Sequence, residues 1–256
     1  TIWSAIAEAR KKGKTIVVIM APGYKTEDLK DGYYRRIKAI DDLYSESSLR
    51  IYISSKDADW KNQSLKVELL QAEQIDVRYC PGFQPHEVLI KEIISKSDVL
   101  YHHSVAYLNA SFLSVQGVVK VLDAHGAVPE ELCLYGLDAE AELSAQNERL
   151  AFEKMDLVVT VSENMRRHFI NKYPETKVSF ITLPIGFESL GNIRLMKKSS
   201  YNKPTIIYAG GLQKWQSIEL MKAVVDRTWQ LYDYKFFVPD PEAFKSVWEA
   251  DAFPGI

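Results

Sequence analysis

Short apolar, β-branched runs recur along the whole sequence with helical patterns between them, and this alternation constrains the fold more than any other feature. The runs cover 15–20, 50–54, 75–79, 98–102, 118–122, 157–161, 178–183, 205–209 and 234–238. Several are apolar throughout instead of alternating, the mark of strands covered on both faces, as in a parallel sheet. Between them, Leu89 pairs with Ile93 and Ile90 with Ile94 at helical spacing near 85–96. Ile218, Met221, Val224, Val225, Thr228 and Trp229 likewise step by three and four, which predicts one apolar helix face. A further helix is expected over 33–44. Strands alternating with helices predict an α/β doubly wound fold.

A boundary is also readable. Residues 191–204, GNIRLMKKSSYNKP, are polar and basic and end in Pro204 just before a fresh apolar run. They read as a linker between a first domain over 1–190 and the start of a second over 205–256. A length of 256 residues suits one large domain or two smaller ones. The second domain holds only two strand candidates, and a two-stranded fragment is marginal by itself. It is therefore expected to be incomplete in this chain or to lean on the first. The chain starts at Thr1 instead of Met, which reads as trimming at the N-terminus.

Composition removes several classes of function. Lys plus Arg number 32 against 34 Asp plus Glu, a net charge of -2, so there is no electrostatic case for nucleic acid. The longest apolar runs, 16–20 and 157–161, fall far short of the roughly 20 residues a membrane span needs. Membrane contact would be peripheral, with Lys11, Lys12 and Lys14 as its basic cluster. Two cysteines, Cys80 and Cys133, make no disulfide framework and read as buried thiols of a cytoplasmic protein.

Ligands of open parallel sheets bind beyond the carboxyl ends of the strands. The most informative residues there are Asp123-Ala124-His125-Gly126, an acid and an imidazole two positions apart at the close of an apolar run. His103 follows another run. Gly210-Gly211-Leu212-Gln213-Lys214 follows a third and precedes a helix, so accessible amides and a lysine would suit a diphosphate, although a tight turn explains the glycines equally. Asp31-Gly32-Tyr33-Tyr34-Arg35-Arg36 opens the 33–44 helix with a glycine and arginines, where an anion or a merely solvated first turn would fit. Asp57-Ala58-Asp59 and the pair His102-His103 with His125 are weak as metal ligands. Adjacent histidines on a strand point to opposite faces, and no Cys/His spacing fits zinc. Neither an acyl-transfer elbow nor a dinucleotide or P-loop fingerprint is present.

Together, Asp31-Gly32-Tyr33-Tyr34-Arg35, Asp123-Ala124-His125-Gly126, the 157–163 strand-to-helix step LVVTVSE and IIYAGGL at 206–212 resemble retaining glycosyltransferases of the two-Rossmann-domain GT-B architecture. The likeness is to the bacterial group 4 class that builds surface polysaccharides and lipid-linked sugars. It implies an acceptor-side N-terminal domain and the opening of a donor-side C-terminal domain. It also implies a UDP- or GDP-linked sugar as donor, a glycan or lipid-linked acceptor, no cofactor or metal, and a place in the cytoplasm with contact to the inner membrane surface left open. By the same likeness His125 lies at the reacting carbon, Gly32, Gly210, Gly211 and Lys214 hold the diphosphate, and Tyr33, Arg35, His103 and Asp123 face the acceptor. The chain departs from the family pattern in having Lys214 without a second basic residue, and Pro184-Ile185-Gly186 where the family has an asparagine. The family's donor-binding Glu-x7-Glu region would lie beyond about where the chain ends. A non-catalytic GT-B-like subunit that binds an acceptor or a partner enzyme is the alternative. A nucleotide-sugar epimerase and a dinucleotide dehydrogenase fit less well.

Overall fold

The computed structural model describes residues 1–44, 47–105, 108–184 and 203–250. The chain divides into two compact units, one of Thr1–Leu132 with Asp138–Gly186, the other of Cys133–Leu137 with Phe187–Ile256. The expected linker over 191–204 and the Pro184-Ile185-Gly186 hinge fall almost wholly outside the described residues.

The first unit runs α1 (Ile2–Lys11), β1 (Thr15–Met20), α2 (Gly32–Tyr44), β2 (Ser48–Ser54), β3 (Lys66–Gln71), β4 (Gln74–Arg78), α3 (Gln84–Ser95), β5 (Val99–His103), α4 (Ala110–Leu113), β6 (Val119–Ala124), α5 (Val128–Leu134), α6 (Asp138–Lys154), β7 (Leu157–Thr160), α7 (Glu163–Lys172) and β8 (Ser179–Thr182). Its sheet has the order β3-β4-β2-β1-β5-β6-β7-β8, and only the β3–β4 pair is antiparallel. From β1 the chain steps one way to β2 and β4, then returns to β5 on the other side of β1. The topological switch point of a doubly wound sheet therefore lies between β1 and β5.

The uniformly apolar runs are explained by layers on both faces. In β1, Ile16, Val18 and Met20 pack with Ile2, Ile6 and Ala9 of α1 and Ile90, Ile93 and Ile94 of α3. Val17 and Ile19 pack on the opposite face with Ile37 and Ile40 of α2. A third cluster joins Leu122 and Val158 to Phe152 of α6 and Phe169 of α7. Local chemistry agrees with these limits. Thr1 caps α1 by accepting from the Ser4 amide at 3.2 Å, and Ser162 caps α7 through the Met165 amide at 3.2 Å.

Strand β3 is the element the sequence reading missed. Its KVELLQ is built of good helix formers and is mostly exposed, and it becomes a strand by closing a hairpin onto β4 in which Glu73 takes a positive φ of 66°. One further expectation needs correcting. Cys80 is buried, but Cys133 is exposed. Two members of the basic cluster, Lys12 and Lys14, pair with Glu8 and Glu73. Among the described residues no helix is long and apolar enough to cross a membrane.

In the second unit, β9 (Thr205–Ala209) and β10 (Asp233–Phe237) are parallel neighbours, accompanied by α8 (Ile218–Thr228) and α9 (Pro241–Ala250). Its core is an aromatic stack of Tyr208, Phe236, Phe244 and Trp248. The apolar face predicted for α8 is buried in part, with Ile218 buried and Met221, Val225 and Thr228 half-buried. Val224 and Trp229 are exposed, while Ile218 and Lys222 are buried, with the Lys222 ammonium on the Trp248 carbonyl.

Candidate active site

The period of a strand brings the site together. His103 of β5 and Asp123 of β6 are register partners in adjacent parallel strands. His125 stands two residues beyond Asp123, so all three side chains project on the same face of the sheet, the one covered by α2. On α2, Tyr33 and Arg36 are three residues apart and share the face that carries Ile37 and Ile40.

Arg36 grips Asp123 with two nitrogens. Nε donates to Oδ2 at 3.0 Å and Nη2 to Oδ1 at 2.9 Å, while Nη1 donates to the Leu183 carbonyl at 3.2 Å. His103 Nδ1 lies 3.3 Å from Asp123 Oδ2. The His103 and His125 rings are 4.6 Å apart, and Tyr33 meets both edge-on at 5.1 and 5.9 Å. Nε2 of His103 and Nε2 of His125 are shielded from solvent and have no hydrogen-bond partner. Beyond His103, Ser104 is held at a φ of 92°, a left-handed backbone that a serine rarely adopts, where the chain leaves β5 beside the site.

The charges are fixed by these contacts. Burial alone would raise the Asp123 carboxyl, but His103 and Arg36 outweigh it and hold it well below the usual range, so Asp123 is an anion. Desolvation pushes His125 down to about 4, helped by His103 and Arg36 and opposed by Asp123. It is a neutral imidazole at physiological pH. Burial and the Asp123 charge raise Tyr101, which lies beneath His103 at a ring separation of 6.5 Å.

One atom each from His103, Asp123 and His125 lie within 4.8 Å of one another, a spacing a metal ion could bridge. Both Asp123 oxygens also accept from Arg36.

The other expected residues lie elsewhere. Gly32 opens α2, where a Cβ would meet nothing within 4 Å. The first turn of that helix is capped by Asp31, which accepts the Tyr33 amide at 2.7 Å. Arg35 donates to the Leu29 carbonyl at 2.7 Å, so the guanidinium on Asp123 comes from its neighbour Arg36, a residue the sequence reading passed over. Asp57-Ala58-Asp59 forms a turn in which Asp57 has a φ of 53° and Asp59 accepts from Asn62 and Ser64.

Within the second unit, Gly210 and Gly211 follow β9. The Tyr208 hydroxyl donates to the Gly211 carbonyl at 2.7 Å, and a Cβ on Gly210 would stand 2.7 Å from that hydroxyl, so Gly210 is needed for close approach. Lys214 opens a 3-10 turn, Lys214–Gln216, and donates to the Leu134 carbonyl at 3.1 Å while lying 5.3 Å from the Tyr135 ring centre. Trp215 meets the same Tyr135 edge-on at 6.0 Å.

No family model matches the sequence, and no curated protein sequence matches it. Solved structures do. Anabaena Alr3699/HepE, in a complex with UDP and glucose, superposes with a TM-score of 0.54 at 14% identity over 92% of this chain. An α,α-trehalose-phosphate synthase (UDP-forming) from Burkholderia vietnamiensis superposes with a TM-score of 0.46 at 10% identity, over 93% of this chain and 68% of that one. This chain spans 65% of the length of the HepE chain. What the HepE likeness carries is the fold, which is α/β of the GT-B type.

Proposed function

We propose that the protein transfers a sugar from a nucleotide-sugar donor to a glycan, polysaccharide or lipid-linked acceptor, with retention of configuration and without a metal. The observation that carries the reading is the neutral His125 beside the Arg36–Asp123–His103 array at the carboxyl edge of the sheet. Glycosyl transfer passes through an oxocarbenium-like transition state. A neutral imidazole at the reacting carbon hydrogen-bonds the sugar without adding positive charge to it, whereas an imidazolium would oppose the charge that develops. The Asp123 carboxylate, already neutralised by Arg36, orients His103 toward an acceptor hydroxyl, with Tyr33 packed over both imidazoles. The leaving diphosphate, of UDP or GDP, would be met by Gly32, Gly210, Gly211 and Lys214 through amides and one ammonium. That HepE was solved with UDP supports a uridine donor.

One observation favours the non-catalytic alternative. The Lys214 ammonium is engaged with Leu134 and Tyr135, a structural role for the residue assigned to the diphosphate. Calorimetric titration with UDP, GDP, ADP and CMP separates the two. Binding of one nucleotide that is lost in Lys214→Ala, with transfer lost in His125→Ala, supports the transferase and names its donor class. No binding of any of the four by well-folded protein refutes it in favour of the binding subunit.

A further inference from the structure

A cavity opens at the switch point itself. It has a volume of about 270 Å³ and lies where Met20 ends β1, Ser54 and Ser55 end β2, Tyr79 follows β4, and Leu108 and Asn109 follow β5. The crevice beyond the carboxyl ends of strands at a switch point is where doubly wound sheets hold their ligands. This cavity shares the sheet edge with the histidines but opens on the other layer, since Met20 and Tyr79 pack with α1 and α3.

Its lining has a consistent chemistry. The polar groups are three hydroxyls and a carboxamide, the last already accepting the Ser111 amide at 3.0 Å and bonded to Tyr79, and the rest of the wall is aliphatic, with proline and alanine. Among the described residues no Asp, Glu, Lys, Arg or His lines it. Tyr79 keeps its proton, because burial raises it. Ser54 is 2% exposed, and its Oγ is buried with no hydrogen-bond partner. A buried hydroxyl left unpaired is costly, and native structures seldom tolerate one without a use.

We infer that this cavity is a subsite for one uncharged sugar ring of the acceptor, with Ser54 Oγ bonded to a ring hydroxyl and the aliphatic wall against the C–H face. The volume is enough for one sugar ring. A phosphate or a lipid diphosphate is disfavoured here, because the lining supplies no cation to replace its hydration. The inference rests on the transferase reading and narrows its acceptor to a neutral saccharide end.

The test is saturation-transfer NMR on the full chain with the methyl glycosides of glucose, galactose and mannose, beside glucose 1-phosphate and glucose 6-phosphate, with UDP titrated separately. The expected result is binding of at least one methyl glycoside, weakened tenfold or more in Ser54→Val, with UDP affinity unchanged. Ser55→Leu, at a half-buried position that tolerates bulk, should block the same signal if Ser54→Val does not fold. Absence of glycoside binding, binding untouched by both substitutions, or tighter binding of a sugar phosphate would overturn the inference. UDP binding without glycoside binding defeats the subsite and spares the transferase. Glycoside binding without nucleotide binding does the reverse.

Discussion

Lowering the pH from 7.5 to 4 should weaken the fold through His125 alone by about 3 kcal/mol. In the unfolded chain this imidazole takes up a proton near 6.5, whereas in the folded chain it resists until about 4. Between those values the unfolded state binds the extra proton, so stability falls as pH falls, and the loss levels off only below pH 4. Each tenfold in proton affinity corresponds to about 1.4 kcal/mol, which over that interval gives the figure above. Asp123 acts in the same direction but in a lower window. Its carboxyl is held below the ordinary value of 3.8, so its stabilisation is intact at pH 4 and disappears only under more acid conditions. Other acid groups, Glu73 and Glu130 among them, also lose stabilisation as pH approaches 4. The measurement is therefore a difference. Urea midpoints of wild type and His125→Phe, which keeps a ring against Tyr33 and His103, are compared from pH 7.5 to 4. The wild type should lose about 3 kcal/mol more than the variant. Parallel curves within about 0.5 kcal/mol, or an NMR titration of His125 centred at 6 or above, would refute both the desolvation argument and the neutral imidazole in the proposed chemistry.

Arg36→Met should cost about 3–5 kcal/mol in urea denaturation, because it leaves the Asp123 carboxylate buried without its cation. Arg36→Lys should recover only part of that, since an ammonium cannot make the paired bonds to both oxygens. Phe169→Ala removes a fully buried ring from the cluster with Phe152 and Tyr173 and should also cost about 3–5 kcal/mol, read from the same midpoints. Amide hydrogen exchange should be faster by orders of magnitude in β9 than in β1, because β9 lies in a two-stranded sheet with mostly exposed side chains and β1 is buried on both faces.

What the sequence revealed followed from the strength of each local signal. Central strands such as 15–20 and 157–161 announced themselves because residues buried on both faces leave no polar alternation. Asp123, His103 and His125 could be picked out because they close such strands. The choice of Arg35 over Arg36 went astray at a finer scale. Both belong to one helix turn, and only the spacing to Ile37 and Ile40 tells which guanidinium turns toward the sheet. That spacing was present in the sequence and would have found Arg36. β3 was harder to see, since Lys66 to Leu69 alternate over only four residues, all but Val67 good helix formers, and the pairing is set by the hairpin at Glu73. In α8 the apolar stripe was real, yet Lys222 is buried in preference to Val224, because its stem packs inward while its ammonium reaches the Trp248 carbonyl.

The site's electrostatics depend on the residue that was hardest to see. Register pairing of β5 with β6 puts His103 against Asp123 whatever the chemistry requires. An acid buried to 0% exposure with only an imidazole partner would tend to take up a proton. His103 would then lose the anion that orients it. Arg36 removes that outcome, since a guanidinium bonded to both carboxylate oxygens keeps Asp123 ionised. The charge is then balanced on the α2 side of the sheet, and His125 is left neutral by burial. A glycine-arginine helix start and an Asp-x-His strand end, with Arg36 and Asp123 87 residues apart in sequence, are thus two parts of one device.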